Sequence, residues 1–375
     1  VFVVVDDHAP VAFAAPICSK GYLIFTMPYR IPFVLLAVVN LLIGMWAGLL
    51  RAGWQLPGSP LAVHHGAILV GGFLTTLIAL EKVIPLRKNW LLVIPVISAG
   101  SLLIALPGSI YGLYCMIAGA VGLLMVLGFY TYLHPRELAS SLMMAGAGCL
   151  LIGDVLLLNR QFYPMAFPWW MAFLLLTITA ERLELSKFLP VTNQHKGILV
   201  ALLSLFVLGL VFSFHGAGNI LSGTAAIGVS LWMLRHDVIG IGLRKEGLVR
   251  FSAVALVVAN GWLMIEGALL LLSPQTALAY DMAVHVFFLG YTFAMIFAHG
   301  PIILPGVLGI QVRPYHPVLY VWLFITQGSL LFRVMMDAFE NPSGRYWSGM
   351  VSGIGILLYF LTIVFLSVPR KVSRQ

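Results

Sequence analysis

Charge is what this sequence has least of. Only 9% of its 375 residues are Asp, Glu, Lys or Arg, 61% are hydrophobic, and the mean hydropathy is +1.02. A soluble globular domain typically carries about 25% charged residues, so a water-soluble fold is excluded. Cysteine is scarce too. Cys18, Cys115 and Cys149 are dispersed, with no Cys-x-x-Cys, which leaves neither a disulfide framework nor the ligands of an iron–sulfur cluster. No stretch has the composition of a soluble catalytic domain, so any chemistry must sit within a membrane or at its faces. The 15 methionines form no Met-x-x-Met cluster of the kind that gathers Cu(I). Val1 to Val5 is too short for a signal-peptide core and runs into Asp6 and Asp7, so no signal peptide is expected there.

What the chain has in quantity is long apolar runs. Windows of ~20 apolar residues bounded by charge, Pro or Gly predict twelve spans. They are 31–50, 61–80, 90–106, 110–133, 138–158, 163–180, 198–214, 220–234, 251–272, 276–298, 318–336 and 347–368. The expected fold class is all-α, a polytopic integral membrane helical bundle. Its parts are an N-terminal segment 1–30, six helices in 31–182, a polar cytoplasmic linker 183–197, six helices in 198–368 and a basic tail 369–375. An even count puts both termini on one side, and the tail residues Arg370, Lys371 and Arg374 mark that side as cytoplasmic. Only Arg51, Arg160, Arg333 and Arg345, four of the 21 basic residues, then lie toward the outer half. That skew accounts for the net charge of +8 without a nucleic-acid partner, and the expected partner of the apolar surface is the lipid bilayer.

Histidine is the residue type here that most readily binds a metal or cofactor, and depth sorts it into two levels. His64 and His65 open the second span and His285 lies two to three turns into the tenth, all toward the outer side. His299 ends the tenth span and His316 begins the eleventh, at the inner side. His215 closes the seventh span, while His8, His134, His195 and His236 fall in terminal or loop positions. At ~100° per residue, His285 and His299 share one helix face within roughly 40° and are ~21 Å apart along the axis. That face also carries Phe288, Leu289, Thr292, Met295 and Ile296.

A haem b held by two imidazoles needs one His from each of two helices facing across a gap, with small residues beside the porphyrin. His285 with His64 or His65 meets the first requirement. Gly71 and Gly72, followed by Thr75 and Thr76, are expected to supply the second. Adjacent histidines point ~100° apart, so only one of His64 and His65 ligates a given iron. The other is left to bind copper, hydrogen-bond a propionate or cap the helix. His299 and His316 form a candidate inner metal site. Against these stands the reading in which every histidine is simply hydrogen-bonded within the bundle.

Asp154, Glu266, Asp281 and Asp337 lie in or near apolar spans, where an unpaired carboxylate is costly. Asp281, one turn before His285, is placed to orient that ring. Arg333 is expected to pair with Asp154, Glu266 or Asp337.

Several of these stretches resemble the NnrS family of twelve-helix membrane proteins. Tyr29-Arg30-Ile31-Pro32-Phe33 is similar to that family's Arg-Pro-Phe-Phe opening, and the segment around His64, His65 and Gly72 to its His-containing second helix. The run from Met282 and His285 through Gly290 and Met295 to His299 looks like its late His-x-x-x-x-Gly helix. His64-His65-Gly66-Ala67 stands where the family has His-x-His-Glu, and the spacing from His285 to His299 is shorter. The resemblance implies a haem-containing and copper-containing protein of the bacterial inner membrane, connected with nitric oxide and denitrification. There is also a distant likeness to haem–copper oxidase and nitric oxide reductase main subunits. However, the early position of His64-His65 and the lack of a late His-x-His argue against their binuclear centre.

Three functions are therefore expected to compete. One is a haem protein of nitrogen-oxide metabolism or membrane electron transfer. The second is a transporter, or a subunit anchoring a larger membrane complex, with structural histidines only. The third is a cytochrome b-like conduit with a haem at each histidine level and a quinol or cytochrome partner.

Overall fold

The computed structural model describes residues 30–106, 109–212, 216–274, 276–310 and 312–367. Helix is the only regular secondary structure among them. Joining contiguous helical segments gives α1 Ile31–Ala52, α2 Ser59–Leu86, α3 Asn89–Ile104, α4 Tyr111–Leu133, α5 Leu138–Arg160 and α6 Tyr163–Leu185. They continue as α7 Asn193–Val211, α8 Gly218–His236, α9 Gly247–Leu272, α10 Ala279–Leu308, α11 Val318–Ala338 and α12 Pro342–Ser367. Ten of the twelve, all but α3 and α8, are long and apolar enough to cross a membrane. α3 starts and ends in 3-10 turns, and α8 interleaves Gly, Ser, Thr and Asn with its apolar residues. His8, His215 and the tail from Arg370 to Arg374 lie outside the described residues.

The polarity of the bundle is inverted relative to a soluble protein. On α1 the exposed side chains Leu35, Val39, Leu42 and Trp46 recur at helical spacing, while Asn40 is buried. On α12, Ile354, Leu357, Leu361 and Val364 form a similar outward stripe. Thr75, Thr76, Asn260, Glu266 and Asp337 are enclosed. Apolar stripes facing out and polar groups facing in are what a lipid solvent selects. The fold is that of a multi-pass membrane protein.

Local chemistry sets the ends. Pro32 stands in the first turn of α1, where its missing N–H costs nothing. Gly53, at φ +108°, closes the same helix, its N–H reaching the Leu49 and Leu50 carbonyls in a conformation that disfavours a β-carbon. Thr192 caps α7, its hydroxyl accepting from the His195 N–H at 3.3 Å.

α10 is the most central helix, touching α2, α6, α9, α11 and α12. It shares an irregularity with α2. Ile68–Leu74 of α2 and Val286–Thr292 of α10 are wound as π-helix. In α2 the Thr75 N–H reaches back five residues to the Val70 carbonyl. A π segment holds about one residue more than the α turns it replaces, which swings everything beyond it by roughly 100°. His285 and His299 are therefore not on one continuous face, as uniform α spacing predicts.

Candidate cofactor site between α2 and α10

The π segments begin just after the two histidines that meet. His65 of α2 and His285 of α10 face each other with ring centroids 6.4 Å apart and planes 11° from parallel. Both line a cavity of about 500 Å³ enclosed by α1, α2, α6, α10, α11 and α12. The His285 Nδ1–H donates to the Asp281 carbonyl at 2.7 Å, which fixes the tautomer and leaves Nε2 as the lone-pair nitrogen. The Asp281 carboxylate lies 3.4 Å from the same Nδ1. His65 Nδ1 is buried and makes no hydrogen bond of standard geometry among the described residues. His64 turns away to the Tyr163 hydroxyl, 2.7 Å from its Nδ1. The residue free to face His285 is thus His65.

Asp281 is itself held in a buried charge cluster. It accepts from Arg333 at 2.7 Å and from Arg345 at 3.3 Å, while Asp337 stands 3.7 Å from Arg333 and 3.5 Å from Arg345. Arg333 therefore pairs with Asp281 as well as Asp337. It pairs with neither Asp154, which accepts from the Trp170 indole at 2.9 Å, nor Glu266, whose two oxygens have no hydrogen-bond partner among the described residues. Arg345, Tyr163 and the Arg333–Asp281 pairing carry no local sequence signal. The partners are 52 and 64 residues from Asp281 and come together only when α10, α11 and α12 pack.

A planar macrocycle between two imidazoles makes four demands, and this cavity can be tested against each. Two imidazoles bound at ~2.0 Å to one metal ion put their ring centres roughly 6 Å apart; the His65 and His285 centroids are 6.4 Å apart, with the ring planes stacked near parallel. A ligating His commonly donates its other N–H to a carbonyl or carboxylate, as His285 does. Close approach needs walls without side chains, and Gly48, Gly66, Gly349 and Gly353 line the cavity with room at their β-carbon positions. Anionic substituents need cations, and Arg51 lines the cavity; Arg333 lines it too but is already paired with Asp281 and Asp337. The donor set fits a haem.

Gly71 and Gly72 do not serve as the cradle. A β-carbon on Gly72 would collide with Asn40 of α1 and Ser101 of α3, and one on Gly71 with Met116 of α4. They are helix-packing glycines, turned from the cavity by the π segment that contains them. The glycines that line the cavity come from α1, α2 and α12.

The inner pair expected from sequence is not brought together. Both nitrogens of His299 are taken: Nδ1–H donates to the Met295 carbonyl at 2.7 Å and Nε2 accepts from Arg182 at 2.9 Å. Arg182 is in turn clamped on Asp237 by bonds of 2.8 and 2.7 Å, and Ser186 donates to the same carboxylate at 2.9 Å. His316 is exposed, and its Nδ1 accepts from the Val318 N–H at 3.2 Å at the start of α11. Among the described residues no group of three His, Cys, Asp or Glu is arranged to hold a metal ion. His195 and His236, expected in loops, lie instead in the first turn of α7 and at the last residue of α8, and they meet at 4.4 Å between ring centroids beside Trp232.

The fold and this cavity define an all-helical, multi-pass membrane protein with an internal two-histidine pocket. Residues 30–368 match the family described as Domain of unknown function (DUF8744), and the chain belongs to that family. No curated protein and no solved structure matches the chain.

Proposed function

We propose that this protein is a haem-binding integral membrane protein of electron transfer, in which His65 and His285 would hold a haem b. The observation that supports this reading is the pair of near-parallel rings 6.4 Å apart across a glycine-walled cavity. When bound, such a group supplies a one-electron couple whose potential follows its axial ligands and surroundings. The chain's own residues do the rest. Asp281 orients His285 through its carbonyl, Arg51 lines the cavity where it would meet acidic groups of the ligand, and Phe167, Phe288 and Phe293 wall the cavity with apolar rings. Held by two imidazoles, such a group would carry electrons rather than bind a substrate gas. The resemblance to NnrS supports a connection with nitrogen-oxide metabolism in the bacterial inner membrane. The basic-residue skew supports twelve crossings with both termini cytoplasmic. The engagement of His299 by Arg182 counts against a second haem or a copper at the inner level.

The test is the absorbance of the purified, detergent-solubilised chain. It is expected to show a Soret band and one haem per chain by pyridine haemochrome. His65→Ala and His285→Ala abolish or strongly reduce it, while His64→Ala and His299→Ala retain it. A chain with no Soret band, or a His285→Ala variant with undiminished haem, overturns the proposal.

A further inference from the structure

At the end of the bundle where α9 and α11 begin, several cations are matched to acids. Lys82 bridges Glu81 at 3.0 Å and Glu181 at 2.9 Å, Arg182 meets Asp237 at 2.7 Å, and Lys187 meets Glu137 at 3.3 Å. The two loops that lead into α9 and α11 differ. Arg244, Lys245, Arg250 and Arg313 are exposed there and form no ion pair or hydrogen bond among the described residues. Glu246 is the one carboxylate in 238–250 and 309–320. Two phenols stand with these cations. Arg250 and Tyr315 are close enough to act electrostatically on the Tyr320 hydroxyl, and the Tyr315 ring lies 3.9 Å from the position of a β-carbon on Gly247. Neither phenol hydroxyl has a hydrogen-bond partner among the described residues. The Tyr320 ring is fixed against the buried Phe251 ring, 5.1 Å away, and stacks on Phe324 one turn further along α11 at 6.4 Å.

Below this polar cluster the same face of α11 turns apolar. Phe324 and Leu331 are exposed on it, and open space lies where a β-carbon on Gly328, between them, would point. From Tyr320 to Leu331 is ~16 Å along the helix, about half of a ~30 Å hydrocarbon core and so the depth of one leaflet. Unmatched cations and phenolic donors stacked above an apolar, notched stripe of that length complement an anionic head on a hydrocarbon chain. The positive-inside rule accounts for cations at this end, not for the phenols and the stripe that accompany these four. We infer that the rim between the starts of α9 and α11 binds an anionic phospholipid. Arg250 and the Tyr315 and Tyr320 hydroxyls hold its phosphate, Arg244, Lys245 and Arg313 attract it, and an acyl chain lies along Phe324, Gly328 and Leu331. A lipid rather than a soluble anion is the ligand because the donors sit directly on the lipid-facing stripe. This goes beyond the haem reading and does not depend on it.

The experiment is native mass spectrometry of the full-length chain in detergent, mixed with phosphatidylglycerol or phosphatidylethanolamine bearing the same acyl chains. One cation beside an anionic lipid surface is worth roughly 5-fold in affinity, so the chain is expected to retain phosphatidylglycerol at least ~5-fold better. Arg250→Gln is expected to lose most of that preference and Arg250→Lys, which keeps the charge, to retain it. Tyr320→Phe, which keeps the ring on Phe251, is read in the same way in case Arg250→Gln folds poorly. Arg160→Gln, an exposed change at the opposite end, leaves the preference intact. Equal retention of the two lipids, or an unchanged preference in both Arg250→Gln and Tyr320→Phe, overturns the inference. So does displacement of the lipid by excess glycerol phosphate, which would mark a site for soluble anions. None of these results bears on whether haem is bound.

Discussion

Asp281→Asn separates two roles that one residue fills beside the candidate site. The change keeps the shape of the side chain and the backbone carbonyl that holds His285 Nδ1 at 2.7 Å, so the ring stays aimed at His65. It removes the charge that Arg333 meets at 2.7 Å and Arg345 at 3.3 Å. Two guanidiniums then share only Asp337, at 3.7 and 3.5 Å, and the cluster goes from balanced to one excess positive charge. The side chains of Arg333, Asp281 and Asp337 are at most 10% exposed, so solvent screens little of this. Breaking such a buried pair by removing one partner costs about 3–5 kcal/mol, or roughly 10²- to 10⁴-fold in the folding equilibrium. Unfolding in mixed detergent micelles, followed by tryptophan fluorescence, is expected to show that loss with haem content per folded chain unchanged. Arg333→Met alone is expected to be costly as well, and the double variant to cost less than the sum of the two by about 1–3 kcal/mol. A loss below about 1 kcal/mol for Asp281→Asn would show that the cluster is not the buried, mutually dependent unit its distances imply.

Other substitutions probe the remaining parts. Gly48→Leu fills the cavity beside His65, whose Cδ2 lies 3.8 Å from the position of a β-carbon there; loss of the Soret band with retained folding is expected, and a haem-replete Gly48→Leu would mean the cavity is not the binding site. Arg182→Met strands the buried Asp237 carboxylate and is expected to destabilise the chain by about 3–5 kcal/mol, measured by the same unfolding assay. Tyr163→Phe removes the partner of His64 and is expected to cost about 1 kcal/mol while leaving the haem spectrum in place. Glu266→Leu replaces a fully enclosed carboxyl that has no hydrogen-bond partner among the described residues and is expected to raise stability by about 1–3 kcal/mol; a fall would show that Glu266 has a partner in the membrane.

The helices, their order and the two histidine levels were legible because each is a one-dimensional signal. An apolar run of sufficient length between breakers is a helix whatever its neighbours do, and the position of His65 or His285 within the run fixes its depth. Direction around the axis is a different kind of quantity. It accumulates residue by residue, so a single π turn overturns every face assignment beyond it, and no residue type marks where a π turn falls. That is why Gly71 and Gly72 were assigned to the porphyrin and found against Asn40 and Met116, and why His299 was placed on the face of His285. The choice between His64 and His65 was open for the same reason, since it depends on which of two directions ~100° apart meets α10. The answer lies in Tyr163, 99 residues away, which takes the His64 ring out of contention. The partners of charged residues were equally hidden. Arg182 finds Asp237 across 55 residues and Arg333 finds Asp281 across 52, and neither choice leaves a periodicity to read. One of those long-range partners bears on the proposed function: both rings make the same local Nδ1–H bond to the carbonyl four residues back, but Arg182, held on Asp237, also occupies Nε2 of His299. Two histidines on one helix, chemically alike in sequence, thus differ in the structure by the Arg182 donor that only His299 meets.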